Sequence, residues 1–352
     1  MKHGSTLCAA ALLACGIADP APAWEWRGEP LSFRIRLALD RASVFTDVVA
    51  RSATAAYPYG SSPNPAADDF QREPPNDFTV VGSATGSFIA FGGGSSLSGG
   101  SVSGSWRPPF GGTLTAFYSR TDSRDVSSAQ GDHFALHSNE ITIRYSRSLL
   151  PERLSVGAGV RFIDSTLGVN DLFFDFPRRI ITDTVGVEGQ LGVVGRVHPQ
   201  WLLGLFVTGS WSRPESQVTA FLPPPPFGPD TVRATVKDEV RSINVRGGAG
   251  WQPKDWFSLF ADAQYLQLSG DQGSAEVGRL YTGIEISPIR SIVLRAGGTV
   301  DTQGKMSMST GVGIYLLKAI QAEIAYSYNA FPEVRREFGP AHLISLSIIG
   351  VY

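Results

Sequence analysis

The chain of 352 residues is almost neutral, with 30 lysines and arginines against 32 aspartates and glutamates, and it contains 39 glycines but only 2 cysteines. A nucleic-acid-binding protein usually carries a basic face, so this balance argues against a nucleic-acid partner. Beyond the amino-terminal region, no stretch is long and apolar enough for a transmembrane helix, which needs about 20 residues.

Residues 1–23 have the features of an export signal peptide. An apolar core over residues 7–17 is followed by Ala21-Pro22-Ala23, which has the small-residue pattern of a cleavage site. The alternative is lipoprotein processing at Cys15, because Leu12-Leu13-Ala14-Cys15 resembles a lipobox. Both cysteines lie in this segment, so we expect no disulfide and no thiolate site in the rest of the chain.

From about residue 77 onward, apolar residues alternate with small or polar ones in segment after segment, as in strands with one face in an apolar environment. The clearest segments are 141–146, 154–162, 185–193, 243–251, 257–265, 280–286, 292–296 and 322–328. A protein that crosses lipid without helices must be a closed barrel, because lipid cannot satisfy open backbone groups. The pattern therefore predicts an all-β fold, a transmembrane antiparallel β-barrel over residues 77–352.

The connections between these segments fall into two classes. Short turns containing proline are found at 107–110, 150–152, 197–200, 252–255 and 287–289. Longer polar or glycine- and proline-rich connections lie near 121–132, 167–180, 213–237, 269–274, 301–305 and 329–338. A soluble sandwich also alternates, but short periplasmic turns opposite long extracellular loops are typical of outer-membrane barrels. We therefore expect about fourteen strands, both termini in the periplasm, and a location in the outer membrane of a Gram-negative bacterium, in contact with its lipid.

The carboxy-terminal strand ends in the aromatic residue Tyr352, with Gly350, Ile348, Leu346 and Ile344 at the preceding alternate positions. This pattern resembles the signal by which the bacterial barrel-assembly machinery takes up its clients, although a residue bulkier than Gly350 is commoner there. The sequence therefore predicts that machinery as a partner. Aromatic residues also gather at segment ends, as interface girdles require: Trp106, Trp201, Trp211, Trp251, Trp256, Tyr281 and Tyr315.

Residues 24–76 precede the first strand and do not alternate cleanly. The stretch is too apolar and too long to be a disordered leader of a compact barrel. A barrel of about fourteen strands has a lumen too wide for its own side chains to fill. We therefore expect residues 24–76 to form a plug, or hatch, inside the barrel.

Two short motifs accompany this architecture. Asn64-Pro65-Ala66 precedes the barrel, and the run from Phe338 to Ser347 opens the last strand with glycine, a small residue and histidine, followed by alternating serines and apolar residues. With the plug and the strand number, these motifs resemble the FadL-type superfamily of outer-membrane hydrophobic-compound transporters, including the PorV-like barrels. The resemblance covers nearly all of the mature chain. Ala67-Asp68-Asp69 departs from it, because the family usually has a glycine after the tripeptide.

The resemblance implies an outer-membrane channel for uptake of hydrophobic small molecules, fatty acids or hydrocarbons, with lateral release into the membrane. Asn64, Pro65 and Ala66 would then belong to the plug or gate, although by residue type they simply make a turn. The glycines of 91–94 and 99–100 mark either the kinked wall segment through which ligand leaves or a flexible hairpin. One alternative is a PorV-like barrel that serves as a structural or secretion partner of another protein. A general diffusion porin is the other alternative.

Candidate ligand-binding residues form two groups. The first group consists of apolar residues in the predicted extracellular loops, where they line a capture groove or pack together as a lid: Phe173, Phe174, Phe176, Phe221, Leu222 and Phe227. The second group consists of arginines expected on the lumen face: Arg144, Arg161, Arg246 and Arg295. These arginines either bind a carboxylate head group or pair with acidic residues and hold the plug.

The sequence gives little support for catalysis. His133 and His137 are four residues apart on one strand face, but no particular serine or aspartate stands out as their partner. There is no phosphate loop, no dinucleotide fingerprint and no metal-spaced cluster. We therefore expect a protein that is not an enzyme and that needs no cofactor and no metal.

Overall fold

The computed structural model describes residues 64–70, 81–92, 96–123, 126–127, 133–173, 176–221, 231–271, 273–289, 291–317 and 320–351. The predicted signal peptide, most of the predicted plug and Tyr352 lie outside the described residues. The expectations for those parts of the chain therefore remain predictions.

The described residues are almost entirely strand. The strands are β1 (Val81–Phe91), β2 (Ser96–Trp106), β3 (Thr113–Ser123), β4 (Val126–Ser127), β5 (His133–Leu150), β6 (Leu154–Phe173), β7 (Phe176–His198), β8 (Trp201–Phe221), β9 (Thr231–Lys237), β10 (Val240–Lys254), β11 (Phe257–Gly270), β12 (Gly273–Ile289), β13 (Ile292–Asp301), β14 (Met306–Leu317), β15 (Ile320–Tyr328) and β16 (Ala341–Val351). The helical elements are α1 (Ala67–Phe70), a 3₁₀ turn (Pro332–Val334) and α2 (Arg335–Phe338). No helix in the described ranges is long and apolar enough to cross a membrane.

Antiparallel pairing closes the sheet into a barrel. Within the described residues, 14 strands form the ring, because β1 pairs with β16 and β8 pairs with β10. The short strands β4 and β9 lie at the end of the ring, where they pair with β5 and β8. The predicted all-β barrel and its strand number are confirmed.

Side chains alternate across the barrel wall. Leu191 and Ile348 point outward and are more than half exposed, whereas their neighbours Gln190 and Ser347 point inward and are buried. The predicted alternating segments all fall within strands. The outer surface is thus an apolar band, and the lumen wall is mainly polar, as in barrels that sit in lipid.

The five proline-containing turns of the sequence lie at one end of the barrel, which we call the short-turn end. The first strand begins and the last strand ends at this end, where Val81 pairs with Val351. Outward tryptophans gather there as well, including Trp106, Trp201 and Trp256, and the ring of Trp201 stacks on that of Trp251 at 6.1 Å. These tryptophans border the apolar band, as the sequence predicts, but Tyr281, which the sequence also assigns to the girdle, points into the lumen and is buried.

The opposite end differs from the prediction. The segments 167–180 and 213–237, predicted to be long loops, are mostly strand: β6 and β7 stay paired up to Phe173 and Phe176, and β8 pairs with β9 from Glu215 to Phe221. Beyond the apolar band the apolar residues no longer face outward, and Leu167 and Val169 are buried on the inner face. The outward hydrophobic alternation by which these strands are recognised is therefore lost while the backbone ladder continues. The wall therefore projects further at this end on the side of β5 to β10.

Candidate ligand-binding lumen

The lumen of the barrel has three levels along its axis. Residues 64–70 occupy the short-turn end, a belt of ion pairs lies in the middle, and an apolar cluster fills the opposite end. Each level is built from inward-facing positions of the strands described above, so the wall sets the position of every side chain in it.

The segment Asn64–Phe70 is held inside the barrel by its first residue. Asn64 is fully buried, and its Nδ2 donates to the carbonyl oxygens of Val193 and Leu205 at 3.1 and 3.2 Å. Its Oδ1 accepts from the backbone N–H of Ala66 at 3.0 Å, which makes a tight turn over Pro65. One asparagine therefore shapes the turn and attaches it to β7 and β8.

Two paired glycines of the wall make room for this turn. A Cβ on Gly192 would lie 1.9 Å from Asn64 Oδ1, and one on Gly157 would lie 2.5 Å from the backbone N of Ala66. Gly157 and Gly192 face each other in the β6–β7 ladder. Because any side chain at either position would overlap the turn, the glycine pair is a notch into which Asn64-Pro65-Ala66 fits.

Asp69 makes the second attachment of this segment. Its Oδ1 accepts from Arg107 at 3.0 Å and from Thr113 Oγ1 at 2.8 Å, and its Oδ2 accepts from the backbone N–H of Ser148 at 2.7 Å. The carboxylate is almost fully buried, and the hydrogen bonds compensate for its desolvation. The sequence predicts Asn64, Pro65 and Ala66 as plug or gate; the structure brings them into the lumen, and a gating role stays a prediction.

Arg246, predicted as a ligand-binding arginine, is part of the belt in the middle of the lumen. Its Nε donates to Asp262 Oδ2 at 2.9 Å, and its guanidinium lies 4.1 Å from the ring centroid of Tyr281. Both members of the ion pair are almost completely buried. The tyrosine hydroxyl in turn donates to Gln264, so the pair belongs to a network across β10, β11 and β12.

Arg295 is also paired. It contacts Glu285 at 2.8 Å and Glu323 at 2.7 Å, so that one guanidinium on β13 links β12 and, across β14, β15. Arg161 on the other side of the barrel contacts Glu188 at 2.7 Å and Glu140 at 3.5 Å.

Arg144 is connected to the wall through a glutamine and a phenylalanine. Its Nε donates to Gln190 Oε1 at 2.9 Å, and its guanidinium lies 4.7 Å from the ring centroid of Phe117. Gln190 also donates to Glu188, so Arg144 joins the group around Arg161 indirectly. Three of the four predicted arginines thus have carboxylate partners within the protein, and the fourth is linked to one of those partners.

The opposite end of the lumen is apolar. Its cluster of buried residues is formed by Ile89, Phe91, Leu97, Phe134, Leu136, Leu167, Val169, Ala330, Phe331, Val334, Phe338, Ala341 and Leu343, and we call it the aromatic cluster. The ring of Phe338 meets that of Phe134 edge to face at 4.9 Å, and the rings of Phe91 and Phe331 stack at 5.7 Å. An apolar site inside an otherwise polar lumen is where a hydrophobic ligand can be desolvated.

None of these aromatic residues was recognised from the sequence as part of a site. Phe134 and Leu136 stand at inward positions of β5, where the alternation reverses from apolar outside to apolar inside. Phe331, Val334 and Phe338 lie in the connection after β15, which the sequence predicts to be an exposed loop. Two features of the sequence could have identified this cluster. One is the reversal of the alternation in β5, and the other is the presence of apolar residues in a connection that should be polar.

The apolar candidates of the predicted loops lie at the ends of two hairpins. Phe173 pairs with Phe176 at the tip of β6 and β7, and Phe221 pairs with Thr231 where β8 meets β9. The structure describes only the backbone of these three phenylalanines. Phe174, Leu222 and Phe227 lie outside the described residues, so the predicted capture groove stays a prediction.

The wall at β1 and β2 is continuous. Pairing runs without a shift from Val81–Ser105 to Ala90–Ser96, and Gly99 and Gly100 take part in it. The first of the two alternatives, a kinked wall segment, is therefore not found at Gly99 and Gly100, whereas Gly93 and Gly94 lie outside the described residues. On the outer face, small side chains leave a groove of about 390 Å³ over this part of the wall, lined by Ala84, Gly86, Gly100, Val102, Tyr118, Leu346 and Ile348 together with Thr85 and Ser101 of the wall itself.

The histidines considered for catalysis face away from the lumen. His137 contacts Asp122 Oδ1 through Nδ1 at 2.5 Å, and its Nε2 lies 3.0 Å from Asn139 Nδ2. Both His133 and His137 lie on the outer face of β5. They are not part of the candidate site.

Three solved structures with a similar arrangement share little sequence identity with this chain. The monoaromatic hydrocarbon channel CymD aligns with a TM-score of 0.58 at 13% identity over 82% of this chain and 91% of its own. The Ralstonia pickettii toluene transporter TbuX aligns with a TM-score of 0.56 at 13% identity, over 82% of this chain and 92% of its own. A Pseudomonas aeruginosa FadL homologue aligns with a TM-score of 0.57 at 13% identity, over 86% of this chain and 99% of its own. The chain has the fold of FadL-type channels.

This shared fold confirms the resemblance found in the sequence at the level of architecture. Neither the scan against protein-family models nor the search of curated proteins gives a match. Of these three proteins, CymD is described as a channel and TbuX as a transporter. At such identities the likeness extends to the fold, and the chemistry must be argued from the lumen of this chain.

Proposed function

We propose that this barrel takes up a neutral hydrophobic small molecule across the outer membrane. The observation that carries the proposal is the aromatic cluster, an apolar site with four phenylalanine rings inside a lumen that is elsewhere polar. A water-filled diffusion pore requires a polar constriction, whereas an apolar ligand gains about 0.8 kcal/mol for each CH₂ group removed from water.

The charges of the lumen favour a neutral ligand over a fatty acid. Arg161, Arg246 and Arg295 each contact at least one carboxylate of the protein at 2.9 Å or less. A ligand carboxylate would have to displace these partners and leave buried acidic groups without their cations, which is costly. Two of the similar structures are a monoaromatic hydrocarbon channel and a toluene transporter, which agrees with such a ligand.

The outer surface supports a membrane setting and a lateral exit. The apolar band bordered by outward tryptophans is the surface that a lipid bilayer would cover. Small residues form part of the wall at β1 and β2, where the outer groove contains Gly86 and Gly100. We propose release into the membrane there, because an apolar solute that passes directly into lipid need not be hydrated again.

The proposal is tested by uptake of radiolabelled toluene and palmitate into cells that produce the full chain. Phe134→Asn places an amide in the aromatic cluster and is expected to lower toluene uptake roughly tenfold, since a buried aromatic contact contributes about 1.5–3 kcal/mol. Thr142→Asn is the matched control, because Thr142 is a buried inward residue of the same strand outside the cluster. Toluene uptake is expected to exceed palmitate uptake.

Two results would contradict the proposal. If neither compound enters faster than in cells without the barrel, the chain is not a hydrophobic-compound channel. If the purified barrel instead carries a stoichiometric protein companion and no apolar molecule on lipid extraction and mass spectrometry, the structural or secretion-partner alternative replaces it. Phe173→Asp and Phe221→Asp in the same uptake assay test the predicted capture groove at the hairpin tips.

A further inference from the structure

The connection between β15 and β16 crosses the lumen instead of extending outward. Phe338 in this connection packs on Phe134 of β5, with ring centroids 4.9 Å apart. Glu333 in the same connection contacts Arg279 of β12 at 3.2 Å. Strands β5 and β12 are 6 positions apart in the ring of 14, close to diametrically opposite. Residues 330–338, which we call the crossing segment, therefore span the barrel from one wall to the other.

One side of the crossing segment supplies apolar groups to the aromatic cluster. Phe331, Val334 and Phe338 are each no more than 3% exposed. Phe331 stacks on Phe91, and Phe338 meets Phe91 and Phe134 edge to face. These side chains fill the space between the apolar residues of the wall, which is the space that we propose for the ligand.

The other attachment of the crossing segment is polar. Glu333 and Arg279 are 3% and 0% exposed at their side chains, and Arg279 also contacts Gln264 of β11. A buried ion pair is sensitive to the loss of either partner, because the remaining charge stays desolvated. The ion pair thus fixes where the segment reaches the β12 side.

Both ends of the crossing segment have a turn with a positive backbone angle. Asn329 has a φ of 54° and Gly339 a φ of 75°, and Asn329 Nδ2 donates to the carbonyl of Met306 at 2.6 Å. Next to them, Ala330 N donates to Ala341 O at 3.0 Å, which closes the base of the connection. A segment joined at one closed base and attached elsewhere by side chains alone can leave the lumen without disturbing the wall ladder.

We propose that the crossing segment is a displaceable occupant of the ligand site. In the absence of ligand, Phe331, Val334 and Phe338 hold the place of the hydrophobic molecule, and the Arg279–Glu333 pair anchors them. A ligand that enters the aromatic cluster competes with these side chains, so the segment moves out as the ligand binds. The inference rests on the proposed function, because it concerns the same site.

Cysteine accessibility tests the inference. Val334→Cys places a thiol at a position that is 2% exposed, and its reaction with a membrane-impermeant maleimide is followed in outer-membrane vesicles by peptide mapping. Saturating toluene is expected to raise the labelling rate about tenfold, because it shifts the population toward the displaced segment. The control is Ser327→Cys, an equally buried inward position of β15 outside the segment, whose rate should not change.

The anchor is tested without any ligand. In the Val334→Cys background, Glu333→Gln is expected to raise basal labelling about tenfold by leaving Arg279 without its carboxylate. Glu323→Gln is the matched control, because Glu323 is also a buried lumen carboxylate paired with an arginine but lies on the wall. Phe338→Ala loosens the apolar attachment instead and should act as Glu333→Gln does. Heat-modifiable mobility on a gel confirms that each variant is a folded barrel.

The two proposals fail in different ways. If wild-type protein binds toluene and labelling at position 334 stays unchanged, the segment is a fixed part of the pocket and the inference is overturned. If wild-type protein binds no toluene, the proposed function fails. In the experiment without ligand, equal basal labelling of the Glu333→Gln and Glu323→Gln variants would overturn the displaceable segment, whatever the result with toluene. Increased labelling in both the toluene and the Glu333→Gln arms supports the inference.

Discussion

Asp69 makes one of the two attachments that hold the segment 64–70 in the lumen. Its carboxylate contacts Arg107, Thr113 and the backbone of Ser148, and it is 6% exposed. Asp69→Asn removes the charge, turns one acceptor into a donor and is expected to weaken the docking of the segment by about 1–3 kcal/mol. Chymotrypsin cleavage after Phe70, which is buried in the folded protein, measures the effect.

The control for this variant is Asp122→Asn. Asp122 also contacts a basic side chain, but it lies on the outside of the barrel and is 42% exposed, and exposed pairs contribute little. We expect cleavage after Phe70 to be unchanged in this variant. Equal cleavage in the two variants would show that Asp69 does not hold the segment.

The glycine notch makes a steric prediction. Gly192→Ala puts a methyl group 1.9 Å from Asn64 Oδ1, so the turn must move away and its hydrogen bonds to β7 and β8 weaken. We expect hydrogen exchange of the backbone amides at 64–70 to rise by at least about tenfold, which corresponds to about 1.4 kcal/mol of lost protection. In Gly189→Ala the added methyl would have its nearest neighbour at 4.0 Å, so exchange should stay at the wild-type rate.

At the scale of elements, β16 provides a test of the membrane band. Leu346 points outward and is 54% exposed, in the part of the surface that lipid would cover. Leu346→Arg is expected to lower the free energy of unfolding from lipid vesicles by about 2–4 kcal/mol if this position lies near the middle of the bilayer. Gln217→Arg, at an exposed outward position of β8 in the projecting wall, should cost about 0–1 kcal/mol. Urea titration measures both values, and equal costs would contradict the placement of the band.

The elements of the wall could be predicted because their sequence repeats one physical pattern. Segments such as 185–193 and 243–251 alternate strictly. Each lies within a strand, and its apolar residues face outward as predicted. Prediction failed where the pattern carries no contrast. In 167–173 and 215–221 the strands leave the apolar band, and their apolar residues no longer face outward in strict alternation, so the sequence looks like that of a loop.

The candidate site could be predicted only in part, because its parts depend on long-range contacts. The alternation of inward and outward positions along each strand predicts that the arginines lie on the lumen face, as they do. Which carboxylate each arginine contacts depends on the register between strands, which the sequence does not show. The sequence predicts a long outward loop at 329–338. In the structure this connection folds inward, because Phe331, Val334 and Phe338 pack against apolar residues of the wall. The composition of one connection does not show what lies opposite it.

At the scale of the whole molecule, the described residues place two obstructions in series in the lumen. Residues 64–70 occupy the short-turn end, and residues 330–338 cross the opposite end. Between them the ion pairs of the belt leave the lumen polar. A solute that passes along the axis must displace both segments, whereas a solute that leaves through the wall at β1 and β2 must displace only the crossing segment, which favours lateral release.

Two obstructions in series also predict how the barrel conducts ions. Replacing residues 330–338 alone by a glycine-serine linker, or residues 64–70 alone, should leave single-channel conductance in planar bilayers close to that of the intact chain, because the remaining obstruction limits the current. Replacing both should raise it on the order of tenfold or more, since a barrel of this strand number has a lumen wider than its own side chains can fill. A large conductance from either single replacement would mean that the other segment does not block the lumen. Equal conductance in all four proteins would mean that the belt itself closes the barrel.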